Sequence, residues 1–520
     1  MSQTPNIANS VMIQSPDYSK HDLSSSTKTT TVLGRLTPIF LREVVPGDHV
    51  NINAEVLTKL MPLATPCFQN MNATVHYFYV PYRIMWKNWK YFHSETNAPG
   101  DVTPPLHPYF KLDSGNTGMD WLAQYFGLDY GIDEISLFPF ITYQLIWNEY
   151  YRHEKIHHDI SENLTVTDGF NYDNPDWHIL RNRTYKDDYF TAALPSPQAG
   201  NEAYLALQSA TDLHVLRNTA TPSGQNSHTE LFGQEEGVPS NLRRGVVTNY
   251  TAEGTFNDKD LFVNVEEAQL QIAMNDLIEL TRMQEFLVRN NIAGNRYNEF
   301  VKAHYGVTIP DLRIDRPDYI GGVKSKIMVS ELLNTGNIDD QGYQTGQAAG
   351  YSEGGDIRYK VLEHGLVMGI YSAYPDALYT ESVQRLFFKR DAKEYYIPVF
   401  DQMGERPIQN KEVRLNHTDP EGTFGYVPQY AEYRLPFNMV TGLFKTDGYL
   451  QKFYLGIRAG VDAVLNEEWF DINNPDEIFK VVGADVHNTL VHVFTHCWIS
   501  RPMKKYSMPT LTNTYGNNII

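Results

Sequence analysis

Hydrophobic and polar positions alternate most cleanly just after the Pro46-Gly47-Asp48 turn, where polar residues separate Val50, Ile52, Ala54 and Val56. That period of two predicts a strand with one buried face. The pattern changes at Ala73–Trp86, ATVHYFYVPYRIMW, which is apolar at nearly every position. Such a run predicts a strand buried on both faces and broken at Pro81 into an aromatic turn. Short strands are expected again at Ser325–Leu333, Gly365–Ala373 and Glu394–Phe400, and Val491–Ile499 alternates as a closing strand. Helical spacing is confined to the connections. Phe140, Tyr143, Trp147 and Tyr150 recur at three and four residues and predict a helix over Pro139–Glu154, with a shorter one at Asp120–Phe126. Asn264 with Glu267 makes a capping box ahead of the stripe Leu270, Met274, Leu277, Leu280, Met283 and Leu287, which carries a helix to Asn290.

Between these elements lie stretches without sustained periodicity. Residues 1–34 are polar and rich in Ser and Thr, and read as an extended arm that orders only against a neighbour. Residues 93–190 form a loop and helix insertion, residues 201–262 a surface excursion rich in Asn, Thr, Ser and Gly, and residues 342–355 a glycine-rich loop. Strands far apart in sequence, with helices only in the connections, describe a mainly β, antiparallel sandwich with long insertions. The eight-stranded jelly roll is the commonest architecture of that kind. Residues 35–520 then make a single domain that ends in a closing strand and tail at 491–520. Phe424–Lys445 organises one side of it: Tyr426, Tyr430 and Tyr433 supply apolar area with a hydroxyl needing a partner, Glu432 and Arg434 flank Tyr433, and Gly442 marks a turn.

Composition narrows the class. With 42% hydrophobic and 20% charged residues the chain is globular, and 34 tyrosines with 28 prolines suit strands and elaborate loops. The 43 Lys and Arg face 62 Asp and Glu, a formal charge of −19, so the surface as a whole repels phosphate. Any nucleic acid the chain encloses must find most of its countercharge in another molecule. The C-terminal tail is the exception: Arg501, Lys504 and Lys505, beside Tyr506, have no acid after them, which suits contact with DNA phosphates and bases. Cys67 and Cys497 stand in no metal or disulfide spacing and read as buried thiols. The N-terminus has no charged-then-apolar leader, and no run of about 18 apolar residues predicts a membrane span, so a product made in the cytosol is expected.

Two chemical readings compete with a structural one. His153-Glu154-Lys155-Ile156-His157 satisfies HExxH, which on a helix would hold zinc between two imidazoles with Glu154 as general base. No third ligand follows at a convincing distance, so the match is read as chance and no metal or cofactor is expected. A glycan-binding sandwich would share the aromatics and the strand pattern.

Several segments match one family in order. Leu36–Asp48 follows its LxPIxxxEVxPGD start, and Tyr79-Val80-Pro81 with Arg83 and Trp86 its FVPxRxxW turn. Ile146–Glu154 resembles IxNEWFRDE, Asp188–Gly200 resembles DYFTSALPWPQKG, and Arg296–Gly322 resembles RYxExxxxHFGVxxPDxRxxRPEYxGG. Phe424–Lys445 and the terminal Arg501-Pro502-Met503 complete the set. Together they resemble the major capsid proteins of microviruses, the small tailless single-stranded DNA bacteriophages, and their gokushovirus-like branch in particular. Ser196 and Ala199 depart from the family's usual Trp and Lys.

The resemblance implies a structural virion protein, not an enzyme. It implies a jelly-roll subunit that self-associates, about 60 copies to a T=1-type icosahedral shell, around a circular single-stranded DNA genome, with assembly in the host cytoplasm. It further implies an internal scaffolding protein, a small basic DNA-binding protein and a DNA pilot protein as partners, and residues 201–262 as a threefold protrusion presented to a bacterial host receptor.

Overall fold

The computed structural model describes residues 17–94, 97, 103–112, 121–129, 134–172, 174–200, 274–294, 296–311, 315–333, 344–401, 403–446, 448–483 and 486–505, together with short strands inside 208–271. The chain divides into two compact units, 1–197 with 293–520, and 198–292. The smaller unit contains a three-stranded antiparallel sheet of Val215–Ala220, Asn226–Glu230 and Leu261–Val263, and most of a long helix, Met274–Ala293. The expected capping box at 264–267 lies outside the described residues.

The larger unit is built on one curled antiparallel sheet. Its strands are β1 (Ser19–Asp22), β2 (Ser25–Thr31), β3 (Thr37–Val44), β4 (His49–Leu60), β5 (Met71–Pro81), β6 (Asp318–Leu333), β7 (Gln344–Glu353), β8 (Ile357–Lys360), β9 (Gly365–Pro375) and, after two further strands, β10 (Glu405–Gln409) and β11 (Thr423–Pro428), the closing β12 (Thr489–Arg501). The pair β10 and β11 forms a separate ribbon. In the main sheet β1 and β2 both pair with β12, and β7 and β8 both pair with β4. The ten strands therefore occupy eight positions, β2-β12-β4-β7 continuing into β6-β5-β9-β3. The chain crosses between the two halves at most connections, with β5 and β6 adjacent in one half, which is the jelly-roll order expected of the fold class. The two long excursions, 82–317 and 376–488, leave after β5 and β9.

The core lies inside the curl. Val50, Ile52, Ala54, Val56 and Leu60 of β4 meet Val75, Tyr77 and Tyr79 of β5, Val367, Tyr371 and Ala373 of β9, and Val491, Val493, Cys497 and Ile499 of β12. Both cysteines are free and buried here, and burial pushes the Cys67 thiol up to about 12 and that of Cys497 to about 11. The opposite faces of β5 and β9 are also buried. Phe78, Val80, Leu366, Met368 and Ile370 pack against the insertion helix α1 (Phe138–Ile146) through Phe138, Phe140 and Ile141. The helix is buried on nearly every side, and its polar Thr142 and Gln144 are satisfied by the Phe138 and Ile179 carbonyls at 2.7 Å and 2.9 Å.

Four expectations need correction. The arm does not order only against a neighbour, because residues 19–31 pair along β12 of the same chain, from Ser19 opposite Arg501 to Thr31 opposite Thr489. The glycine-rich stretch from Gln344 is strand β7: a Cβ on Gly346 would sit 2.8 Å from the Pro66 Cα, and one on Gly350 2.8 Å from the Lys326 carbonyl oxygen. Here glycine serves close approach of backbones and not flexibility. Glu394–Phe400 is not a strand. A capping box between Asp391 and Glu394 winds one tight turn and Pro398 opens a second. The helix predicted to Glu154 ends earlier, in a wider turn over Trp147–Tyr151 with Arg152 extended. Tyr150 and Tyr151 hold that end down, Tyr150 with its ring 4.8 Å from Phe78 and Tyr151 with its hydroxyl 2.8 Å from His76 Nδ1.

Candidate functional site

The tyrosine-rich stretch folds as β11, a tight turn at Ala431–Tyr433 and an open run toward a short helix at Leu443–Thr446. Tyr430 takes a left-handed conformation, φ 63°, while fully buried, and its hydroxyl donates to the Lys393 carbonyl at 2.9 Å. A bulky residue holds that backbone only where packing over-determines it. Gly442 is left-handed as well, φ 67°, with open space around it. Tyr426 exchanges backbone hydrogen bonds with Leu194 at 2.8 Å, tying β11 to the Asp188–Gly200 segment.

Under this stretch lies a charge network whose members are scattered along the chain. Glu412, with its side chain wholly buried, accepts from Arg385 at 2.6 Å and from the Tyr189 hydroxyl at 2.8 Å. Arg385 also reaches Glu394 at 2.7 Å. Glu432 receives Arg406 and, at 2.7 Å, the buried ammonium of Lys389, which also donates to Tyr433 at 3.2 Å. Burial works against the charged form of Lys389, but Glu432 and Tyr433 outweigh it and its pKa rises. Three cations thus face three carboxylates, which neutralises the interior under the surface. Around it, Leu386, Tyr395, Tyr396 and Tyr433 are each about half exposed or more, with the Tyr396 ring 6.2 Å from that of Tyr433 and Lys389 lying over both Tyr395 and Tyr433. Arg434 reaches Asp401 at the edge of this surface. Clusters of exposed aromatic and aliphatic side chains on this scale mark contact surfaces. Sequence singles out only Tyr433 of these: Tyr395 and Tyr396 read as part of a short strand, and Leu386 stands in no recognised pattern.

The HExxH residues do not converge on one point. His153 lies on the Phe470 ring, centroids 4.4 Å apart, and burial first, then His157, pulls its imidazole down to about 4. Glu154 pairs with Arg296, and His157 Nε2 contacts Asp471 Oδ1 at 3.0 Å. Each is engaged with a different element, and among the described residues no group of three or more His, Cys, Asp or Glu could hold a metal ion.

At the C-terminus, Arg501 is not directed outward. Its guanidinium contacts both oxygens of the wholly buried Asp48, at 3.1 Å from Nε and 2.7 Å from Nη2, while Asp48 also accepts from the Val45 amide at 3.0 Å. Arg501 clamps the end of β12 to the turn before β4. Lys504 and Lys505 follow on the exposed side, and Tyr506 lies outside the described residues.

These elements match one family of known proteins along nearly the whole chain: the sequence pattern of the family "Capsid protein (F protein)" fits residues 11–511. The chain belongs to this capsid protein family. Similar proteins include capsid protein VP1 of Bdellovibrio phage phiMH2K and of Chlamydia phage 1, each 28% identical, with 96% and 95% of both chains covered. VP1 of Spiroplasma virus 4 is 24% identical over 92% of both chains. The resemblance to gokushovirus-type microvirus capsids therefore holds, and the F-family chain is a structural component of the virion and not an enzyme. Among the described residues no helix is long and apolar enough to cross a membrane.

Proposed function

We propose that this chain is the major coat subunit of a small T=1-type icosahedral shell of about 60 copies that encloses a circular single-stranded DNA genome. The observation that carries the reading is the division of the jelly roll into two unlike halves, one sealed by the insertions and one open, beside a separate apolar surface. A subunit in a closed shell needs several different contact surfaces, because each neighbour meets it differently. The apolar cluster of Leu386, Tyr395, Tyr396 and Tyr433 around the neutralised network serves as one of them, and Tyr426, Tyr430, Glu432, Arg434 and Gly442 hold it in shape. Residues 201–262, an insertion between strands of the roll, face the host receptor.

The net charge of −19 supports a division of labour in which a small basic DNA-binding protein neutralises most of the phosphate, with an internal scaffolding protein and a DNA pilot protein completing assembly. Arg501 is committed to Asp48, so the tail's share of DNA contact falls to Lys504, Lys505 and Tyr506. The test is sedimentation of the chain expressed with its neighbouring reading frames. A sharp species of several megadaltons is expected; a stable species of one or two chains in the presence of scaffold would sink the reading. Deleting residues 201–262 should reduce adsorption to host cells while particles still form.

A further inference from the structure

The open half of the sheet carries an outward face that the core does not use. Cross-strand partners lie on the same side of a sheet, so its rows can be read directly from the register. One row runs Lys28 on β2, His492 on β12, Leu57 on β4 and Tyr351 on β7. The next runs Thr30, Leu490, Lys59, Ala349 and, on β6, Met328. Further along the same face Phe494 lies opposite Glu55, and Trp498 opposite Asn51, with the Lys20 ammonium 4.5 Å over the Trp498 ring. Tyr351 is 61% exposed, Leu57 45% and Trp498 39%. None of these rings contributes to the core inside the curl.

The charge of this face runs opposite to that of the chain. Lys20, Lys28, Lys59, Arg358 and Lys360 stand on it, against Asp22, Glu55, Glu353 and, just before β8, Asp356. Glu55 is held by His496 at 2.9 Å, and Asp22 accepts from the Ser24 amide at 3.0 Å; Arg358 is paired with Asp356 at the turn. Over the whole sequence acids outnumber bases by 62 to 43. Lysines interleaved with exposed aromatics on adjacent antiparallel strands are the equipment of single-strand nucleic-acid binders: rings stack on bases and ammonium groups follow the phosphates. A protein interface would deplete lysine from the middle of the patch, whereas Lys59 stands between Leu490 and Ala349, with Lys28 at the rim on the edge strand β2.

We propose that this face, β1 and β2 with β12, β4 and β7, binds single-stranded DNA, with bases stacked on Trp498, Phe494 and Tyr351 and phosphates on Lys20, Lys28 and Lys59. Strand geometry sets Phe494 about 13 Å from Trp498 and about 12 Å from Tyr351. Rings so separated take up splayed bases one at a time, and paired, stacked bases of a duplex offer them no face. The binding is sequence-tolerant and salt-sensitive, since no base-edge hydrogen bonding is required. The inference rests on the coat reading for its biological ligand, but the face can be tested apart from the shell.

The experiment titrates the purified full chain with a fluorescein-labelled single-stranded oligonucleotide of mixed sequence over a range of salt concentrations. Removing two phosphate contacts in Lys28→Ala with Lys59→Ala should weaken binding and reduce the salt slope by about 1.4, and Tyr351→Ala should weaken it about tenfold. Tyr172→Ala, at a residue 85% exposed outside this face, should change neither. Far-UV circular dichroism and melting establish that the exposed-site variants fold. Absence of binding by the unaltered chain at low salt, or full affinity with an unchanged slope in the Lys and Tyr351 variants, overturns the proposal. Variants that stop particle formation but leave oligonucleotide binding intact would make the face a contact between copies, which also overturns it. A chain that binds through these residues yet forms no shell on sedimentation keeps this face and removes the coat reading instead.

Discussion

Strands β4 and β5 are hydrogen-bonded members of one continuous sheet system, yet they present opposite problems. In β4 every second side chain is buried and the rest, from His49 to Lys59, face solvent. In β5 ten of eleven residues are buried, because Val75, Tyr77 and Tyr79 enter the curl while Phe78 and Val80 enter the layer beneath α1. The same contrast separates β12 from β9, all eleven residues of which are buried. A strand covered on both sides gains twice the apolar contact, but its outer face is no longer available for anything else. The open half gives up that contact and keeps a surface on which lysines and rings can meet a partner. Stability is therefore concentrated in the covered half and binding in the open one.

That contrast is broken most directly by truncating the covered side. Phe78→Ala should destabilise the larger unit by about 4 kcal/mol, from lost transfer energy plus the cavity left between β5 and α1. The shift in urea midpoint at unchanged slope would measure it. A loss under about 1.5 kcal/mol would show that the insertion does not seal this face. Arg501→Ala comes next, at about 3 kcal/mol, because it strands the wholly buried Asp48 carboxylate at the end of the open half. The same variant should leave the salt slope of oligonucleotide binding untouched, whereas a reduced slope would return Arg501 to the phosphates.

Acid should attack the covered half first. His76 projects from β5 toward Tyr151, and burial first, then Arg183, pulls its imidazole from 6.5 down to about 4; His153 is held equally low. The unfolded chain takes up these protons below about 6.5 and the folded chain refuses them, so stability is complete above that pH and declines as pH falls toward 4. At pH 5 the loss is about 2 kcal/mol for each residue. Urea midpoints at pH 7 and pH 5 test this, and His153→Leu should remove its share of the difference. An undiminished difference in a variant lacking both imidazoles would place the acid sensitivity elsewhere.

The halves were also unequally legible. The period of two in β4 and β12 and the unbroken apolar run in β5 are direct records of one-sided and two-sided burial, so the sequence told both strand types and the jelly-roll class. What it hid was proximity. Gly346 and Gly350 read as a loop because close approach to Pro66 and Lys326 leaves no mark in neighbouring residues. Tyr430 and Tyr433 stood out as candidates, but Lys389, Arg406 and Glu412 beneath them are isolated charges in sequence and become a network only through folding. Arg501 looked like a free tail cation for the same reason: its acid lies more than four hundred residues earlier.

The smallest expected effect is the most discriminating for the comparison. Leu57 points outward from β4 between His492 and Tyr351 and is 45% exposed. Leu57→Thr keeps a branched side chain suited to a strand and removes apolar area that, in the isolated subunit, is already half in water. Stability of the monomer should change by less than about 0.5 kcal/mol, the range of surface substitutions without a buried partner. A loss well above 1 kcal/mol would mean that another part of the subunit lies over this face. A negligible loss in the subunit together with weaker oligonucleotide binding would separate the two roles at a single residue, since the energy of Leu57 would then be realised only when a ligand covers the rows on either side of it.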